Sequence, residues 1–301
     1  MPSTFDMDVS SNMYVLNNNG KLIKFDPFFN KLWEVTPPTI DTDEGCAMKV
    51  TALGTIILAD VDRRTIIVYD SSDGTELFSD TGRWSPTYYQ YTNYGIDIIP
   101  TVDKNVFFIT TAQRYSRYDY AQISRVDIKK DEIKNKFQNI TYGGSYNYIH
   151  SRGFSDTSVN TYVSTNYNIR KFDYIGNELG RIAGNGLRDM VNRNKDEFFI
   201  VESNSHVYLR SKETLERLEN SEYINHDTTI QRLEILDQDR VLVLDASKVT
   251  LYSWETKSII WQNTDDFNSS MVMMSISGGR DIRTITFDEQ EKIVYDTTGG
   301  A

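Results

Sequence analysis

The sequence predicts an all-β protein folded as a single β-propeller of seven four-stranded blades, with six blades as the alternative count. One short strand pattern recurs along the chain, rich in β-branched and aromatic residues and ending in Asp or Ser at a turn. Its copies end at Asp26, Asp70, Asp127, Asp173, Ser211, Ser253 and Asp296. A period near 40 to 45 residues is typical of four-stranded propeller blades. No window favours a helix longer than about two turns.

Turn signals rich in Asn, Asp, Gly and Pro divide each repeat into strands. The predicted blades of this single 1–301 domain span residues 3–37, 46–82, 95–139, 148–183, 186–220, 228–263 and 269–298. Second strands are the most apolar (TIILA, VFFI, FFIV, VLVL), as expected for strands covered on both faces. Fourth strands are short and charged, which is typical of exposed edges. The last blade shows three strands, so we expect either a three-stranded blade or a one-strand shift in register.

Composition limits the function classes. Lys and Arg number 32 and Asp and Glu number 43, giving a net charge of −11, which argues against general nucleic-acid or anionic-membrane binding. The single cysteine, Cys46, excludes an intrachain disulfide framework. The N-terminal residues show no secretory signal, and no apolar run is long enough for a transmembrane helix. The sequence therefore predicts a soluble protein, either cytoplasmic or assembled into a virion.

The recurring form of the third strand and its turn, as in IIVYDSSDGTELF and IRKFDYIGNELGRI, resembles the WD40-like and quinoprotein-like propeller superfamilies. The resemblance covers nearly the whole chain and implies the fold. The Gly-His and Trp-Asp dipeptides of WD40 repeats are absent, and so is the regular Trp motif of quinone-dependent dehydrogenases. The resemblance therefore implies no quinone chemistry, and we expect no cofactor.

Aromatic and arginine residues concentrate in three predicted loops around the third blade. The loops are RWSPTYYQYTNYG (83–95), AQRYSRYDY (112–120) and NITYGGSYNY (139–148). Tyr, Trp and Arg carry much of the energy at protein interfaces. The predicted contact set for a protein or glycan is Arg83, Trp84, Tyr88, Tyr89, Tyr91, Tyr94, Arg114, Tyr115, Arg117, Tyr118, Tyr120, Tyr142, Tyr146 and Tyr148. The alternative interpretation is that these loops pack on each other and cover the end of the propeller.

Polar residues predicted on first strands offer a second place for chemistry. They are Asp6, Asp8, Asp97, His150 and Asp189. A hydrolase or lyase would need such groups to converge, unpaired, at the mouth of a central channel. The three histidines are scattered and the acidic pairs Asp60/Asp62 and Asp237/Asp239 fit ordinary turns, so no metal site is predicted.

Two function classes follow. The first is a non-enzymatic module that docks a protein partner within a larger assembly, such as a phage or other virus structural component, with glycan or receptor binding as a variant. The second, less favoured, is a propeller hydrolase or lyase with a site in the central channel.

Overall fold

The structure of the protein is a computed structural model, and it describes most of the chain. The described residues are 2–38, 40, 46–84, 94–115, 118–142, 151–165, 168–184, 186–218, 223–245, 247–263, 273–277, 281–287 and 293–297. Every regular element among them is a β-strand, and the fold is the predicted all-β β-propeller. Six sheets have four strands and one has three, so six is the number of four-stranded blades. None of these residues lies in a helix that could span a membrane.

The chain forms two compact units, and the first comprises Met1–Ser151 with Ile175–Asn177. It contains three antiparallel four-stranded sheets whose strands follow in chain order. Blade one has β1 (Pro2–Met7), β2 (Met13–Asn17), β3 (Leu22–Phe25) and β4 (Lys31–Val35). Blade two has β5 (Cys46–Val50), β6 (Thr55–Asp60), β7 (Thr65–Asp70) and β8 (Glu76–Thr81). Blade three has β9 (Tyr94–Pro100), β10 (Val106–Tyr115), β11 (Tyr118–Asp127) and β12 (Glu132–Tyr142).

The second unit comprises Arg152–Tyr174 and Glu178–Ala301. Blade four has β13 (Ser151–Ser155), β14 (Thr161–Thr165), β15 (Asn168–Phe172) and β16 (Glu178–Ala183). Blade five has β17 (Met190–Asn192), β18 (Glu197–Glu202), β19 (His206–Ser211) and β20 (Ile224–Asn225). Blade six has β21 (Arg232–Ile235), β22 (Arg240–Leu244), β23 (Val249–Ser253) and β24 (Ile259–Asn263). The last sheet has β25 (Met273–Ser277), β26 (Asp281–Phe287) and β27 (Ile293–Thr297).

Burial follows the predicted order of the strands within a blade. Every residue of β6 is buried, whereas β8 alternates between exposed and buried positions. A central strand has a neighbouring strand on each side and side chains packed on both faces, so apolar residues are favoured throughout. An edge strand keeps one row of backbone groups unpaired, and charged side chains there oppose pairing with another chain.

The fourth strand of blade five is not where the sequence predicts it. LERLEN (215–220) reads as a strand, but Leu215 has a positive φ of 63° and only an isolated bridge joins Arg210 and Arg217. The strand that pairs with β19 is β20, only two residues long. The Leu215 side chain is buried, so its packing outweighs the cost of a left-handed backbone at a non-glycine residue.

Candidate functional site

Blade three differs from its neighbours in the length of its strands. β10 and β11 each have 10 residues and β12 has 11, whereas β6 and β7 in blade two have 6. At about 3.3 Å per residue, four additional residues lengthen a strand by about 13 Å. The segment AQRYSRYDY is therefore not a loop, as the sequence predicts, but a hairpin in which both strands continue to Tyr115 and Tyr118.

The backbone register of this extension aligns several of the predicted contact residues. Tyr115 pairs with Tyr118, and Tyr118 pairs with Tyr142. Two positions before Tyr115, Gln113 lies opposite both Tyr94 and Tyr120. Arg114 pairs with Asp119. Five tyrosine positions from four strands are thus gathered at one end of a single sheet.

The remaining predicted contact residues divide into two groups. Tyr88, Tyr89, Tyr91, Arg117, Tyr146 and Tyr148 lie outside the described residues. Arg83 and Trp84 are described, and both are engaged in structural contacts. The Arg83 guanidinium pairs with Asp80 and, at 2.7 Å, with Asp131.

Trp84 lies in the apolar core between blades two and three. Its side chain has 0% exposure, and the indole N–H donates to the Ser124 hydroxyl at 3.3 Å. Its backbone N–H donates to the Asp80 carboxylate at 3.0 Å. A ring held in this way stabilises the junction between the blades and offers no surface to a partner in this structure. The sequence shows an aromatic residue beside a turn but does not show on which side of the turn the ring packs.

Two of the acidic residues predicted for first strands bind backbone amides of their own blade and of the next one. The Asp6 carboxylate accepts from Met7 N–H at 2.9 Å and from Val50 N–H of the next blade at 2.8 Å. Asp189 repeats this arrangement in the second unit, with Met190 N–H at 2.9 Å and Leu233 N–H at 2.8 Å. Each carboxylate therefore joins the first strands of consecutive blades.

Two of the other three polar residues predicted for first strands lie among the described residues. The Asp97 carboxylate accepts from Ile98 N–H at 3.1 Å, and Asp8 lies in the turn that follows β1. His150 lies outside the described residues. The acidic pair Asp237/Asp239 fits its predicted turn, since Asp237 accepts from the N–H groups of Asp239 and Arg240.

The connection from blade five to blade six holds a buried histidine whose partners the sequence did not reveal. His226 Nε2 lies 2.8 Å from the Asp245 carboxylate and Nδ1 lies 2.8 Å from the Tyr252 hydroxyl. Burial by itself raises the pKa of Asp245, but hydrogen bonds from Thr228, Ser247 and His226 lower it to about 2. Burial raises the pKa of Tyr252 to about 12. The members are dispersed in sequence, so only the paired strands bring them together.

The same histidine belongs to the group of side chains whose geometry could hold a metal ion. Ligand atoms of His226, Asp227 and Asp245 lie within 4.8 Å of one another. Both ring nitrogens of His226 already have hydrogen-bond partners, and Asp227 accepts from Lys248 Nζ at 2.8 Å. A cation would have to displace these partners, so we interpret the group as a network that holds the connection between β20 and β21 against β23.

A second cluster missed by the sequence analysis occurs twice. In blade one the Tyr14 hydroxyl bonds to Asp8 at 2.9 Å, and Lys24 Nζ donates to the Ser71 carbonyl of blade two at 2.8 Å. Tyr14 also reaches that carbonyl, at 3.3 Å. We call Asp8, Tyr14, Lys24 and the Ser71 carbonyl the blade-one cluster.

The blade-four cluster consists of Asp156, Tyr162, Lys171 and the Lys212 carbonyl. The Tyr162 hydroxyl bonds to Asp156 at 3.1 Å and lies 3.5 Å from the Lys212 carbonyl, to which Lys171 Nζ donates at 3.0 Å. The sequence does carry a signal for the pair, since DVSSNMYV and DTSVNTYV share D-x-S-x-N-x-Y-V and each is followed by KFD. That signal identifies equivalent blades without showing what the shared residues bind.

Comparison with known proteins adds no family assignment. No family model matches the chain, and a search of curated proteins finds no match.

Proposed function

We propose that this protein is a non-enzymatic interaction module that docks a protein partner through the extended end of blade three. The observation that carries the proposal is the register of that extension, in which Tyr115, Tyr118 and Tyr142 occupy directly opposed positions. Tyr94 and Tyr120 lie two register positions away, both opposite Gln113. Tyrosine has a large ring, few rotatable bonds and a polar tip, so it supplies binding area at a low cost in conformational entropy.

The length of the strands supports the same role. A four-stranded blade needs no strands of 10 residues to bury its core, because the two central strands of blade two, β6 and β7, have 6. An extension held by antiparallel pairing presents residues on a rigid scaffold, and a rigid contact surface loses less entropy on binding than a flexible loop does.

The polar groups of the inner strands favour an interaction module over a hydrolase or lyase. Two of the carboxylates considered for a channel site, Asp6 and Asp189, each accept two backbone N–H bonds at 2.8 and 2.9 Å. A general acid or base must reach the proton it transfers, and these oxygens are directed at amides of the protein itself. We place the module within a larger assembly, and a virus structural component is the setting that the Tyr- and Asp-rich sequence suggests.

The test begins with capture of partners from the native source and continues with the purified partner. The variant Tyr115→Thr/Tyr118→Thr/Tyr142→Thr removes three rings and keeps residues that favour strands. Calorimetry should show affinity for the partner reduced by about thirtyfold or more. The matched control is Tyr223→Thr, which removes a half-exposed tyrosine from the second unit and should leave affinity unchanged.

Two results would contradict the proposal. One is unchanged affinity in a triple variant that still unfolds cooperatively, which would place the partner elsewhere. The other is a captured partner whose binding is lost on deglycosylation, which would favour the glycan-binding alternative.

A further inference from the structure

Exposed apolar residues recur at one turn position in the first unit. Val9, Leu53 and Val102 lie in the turns between the first and second strands of blades one, two and three, and their side chains are 64%, 48% and 51% exposed. Single exposed apolar residues are common on proteins and need no explanation. Three at equivalent turns of consecutive blades form a pattern.

The second unit has no such residues in the corresponding turns of blades four, five and six. The exposed residues there are Thr157, Ser158, Lys195, Asp196, Asp237 and Gln238. The turns have the same place in each blade, so the fold itself does not require apolar residues at these positions.

Contacts in the first unit link the turns of Val9 and Leu53 to the Asp70–Thr75 turn of blade two. Asp8, beside Val9, binds the Tyr14 hydroxyl, which also reaches the Ser71 carbonyl. The turn that contains Val9 is therefore connected to the Asp70–Thr75 turn through the Tyr14 hydroxyl.

The Leu53 turn contacts the same segment, because Ser71 N–H donates to the carbonyl of Gly54, the residue after Leu53, at 3.0 Å. The Val102 turn is next to the Leu53 turn, because β9, which ends just before Val102, packs beside β5, which ends just before Leu53. We define the turn surface as Val9, Leu53, Val102 and the Asp70–Thr75 turn.

The turn surface is acidic as well as apolar. The four turns at residues 8–12, 51–54, 70–75 and 101–105 contain four aspartates and one lysine. Asp73 is exposed, and the Ser72 hydroxyl and N–H keep Asp70 ionised by lowering its pKa. A partner that matches this surface needs apolar side chains for the three aliphatic residues and positive charge for the carboxylates.

We propose that the turn surface binds a protein segment in which aliphatic or aromatic residues alternate with Lys or Arg. The surface lies at the opposite end of blade three from the tyrosine extension, because β10 begins after the first turn and ends at Tyr115. It is therefore a second docking site, distinct from the proposed site on the extension. A second copy of the chain is a poorer occupant, since two such acidic surfaces on chains of net charge −11 repel one another.

A random peptide library displayed on phage provides a probe that works whatever the identity of the natural partner. The library is selected on the full chain, with the variant Val9→Ser/Leu53→Ser/Val102→Ser used to remove peptides that bind elsewhere. We expect the remaining peptides to combine apolar residues with Lys or Arg. A synthetic peptide with their consensus should bind the variant about tenfold more weakly or worse, and Asp73→Asn should weaken binding about threefold and reduce its salt dependence.

The matched control is Leu77→Ser/Leu179→Ser/Ile260→Ser, which removes three comparably exposed aliphatic residues from fourth strands and should leave peptide binding unchanged. The proposal is overturned if no peptide is enriched, if enriched peptides are acidic, or if the consensus peptide binds both triple variants equally. It is also overturned if the wild-type chain self-associates and the turn variant is monomeric. None of these results bears on the tyrosine extension, whose own variant tests it separately.

Discussion

The blade-one and blade-four clusters are built alike but differ in the residue that supplies the shared carbonyl. In both, a tyrosine hydroxyl bridges an aspartate and a backbone carbonyl of the next blade, and a lysine donates to the same carbonyl. The carbonyl belongs to Ser71 in the first unit and to Lys212 in the second. The acceptor is a backbone carbonyl, so the side chain of the residue that carries it can vary. Both units therefore keep the hydrogen bonds to this carbonyl, but only the second has a lysine side chain at that position.

Lys212 at this position buries an ammonium group in the second unit, and burying a charge lowers stability. Lys212 Nζ is buried, has no hydrogen-bond partner and lies 3.9 Å from the Asp156 carboxylate. The rings of Phe154 and Tyr162 lie 5.4 and 5.8 Å from it and partly compensate through their π faces. Burial lowers the pKa of Lys212, the charge of Lys171 acts in the same direction, and Asp156 and Asp196 oppose the shift.

The largest expected effect comes from removing the carboxylate in each cluster. Asp156→Asn should lower the free energy of unfolding by about 3 kcal/mol, because it leaves the buried Lys212 ammonium without its nearest negative charge. Asp8→Asn should cost about 1 kcal/mol, the usual value for weakened hydrogen bonds. Urea denaturation of both variants measures the difference, and equal losses would show that Lys212 does not distinguish the clusters.

Removing the lysine should have a smaller effect of opposite sign. The Asp156 carboxylate keeps hydrogen bonds from Asn160 N–H and the Tyr162 hydroxyl, whereas Lys212 Nζ has no hydrogen-bond partner to lose. Lys212→Met replaces this buried amine with an apolar side chain of similar length and should raise the free energy of unfolding at pH 7 by about 1 kcal/mol. The exposed Lys195→Met is the control and should change it by less than about 0.5 kcal/mol. A loss of stability in Lys212→Met would mean that the contact with Asp156 outweighs the cost of burial.

The stability of Lys212→Met should also depend on pH differently from that of the wild type. The lowered pKa of Lys212 means that the unfolded chain binds the proton more tightly, so wild-type stability rises with pH between the folded value and about 10.5. Lys212→Met should lack this rise, so the stability difference between the two proteins should shrink as pH increases. A difference that is constant with pH would contradict the assignment to Lys212.

The smallest and most even effects are expected for the two tyrosines. Tyr14→Phe and Tyr162→Phe should each cost about 1 kcal/mol, because each removes one hydroxyl bridge between blades. Burial raises the pKa of both hydroxyls, so the folded chain keeps these protons and wild-type stability falls as pH rises above about 10. Each Phe variant should show less of that alkaline loss, and thermal unfolding at pH 8 and pH 11 compares them. Clearly different losses of stability in Tyr14→Phe and Tyr162→Phe would show that the two clusters are not energetically equivalent.

Much of the local structure could be predicted from the sequence. The apolar runs TIILAD and TIIVYD become β6 and β7, and SSDGTE between β7 and β8 forms the expected turn with Gly74 at a positive φ of 76°. These features depend on the period of apolar residues and on turn chemistry, which act over a few neighbouring residues.

The candidate site was less predictable. The segment 112–120 is so rich in polar and aromatic residues that its sequence looks like a loop. Pairing with β9 and β12 nevertheless continues the strands to Tyr115 and from Tyr118. Trp84 has the composition of an interface residue but is buried, because its ring fills the core between two blades. The buried His226 receives its partners from β23 and from the turn after β22.

The sequence by itself determined the all-β fold, the order of the strands and most of their turns, because alternation and turn residues operate within one repeat. Only the tertiary structure decided which polar groups bind across blades. Asp6 and Asp189 each reach an amide 44 residues away, about one repeat along the chain. A carboxylate that binds such an amide looks, in the sequence, the same as one left free for chemistry, since the bond depends on how two blades pack and not on neighbouring residues.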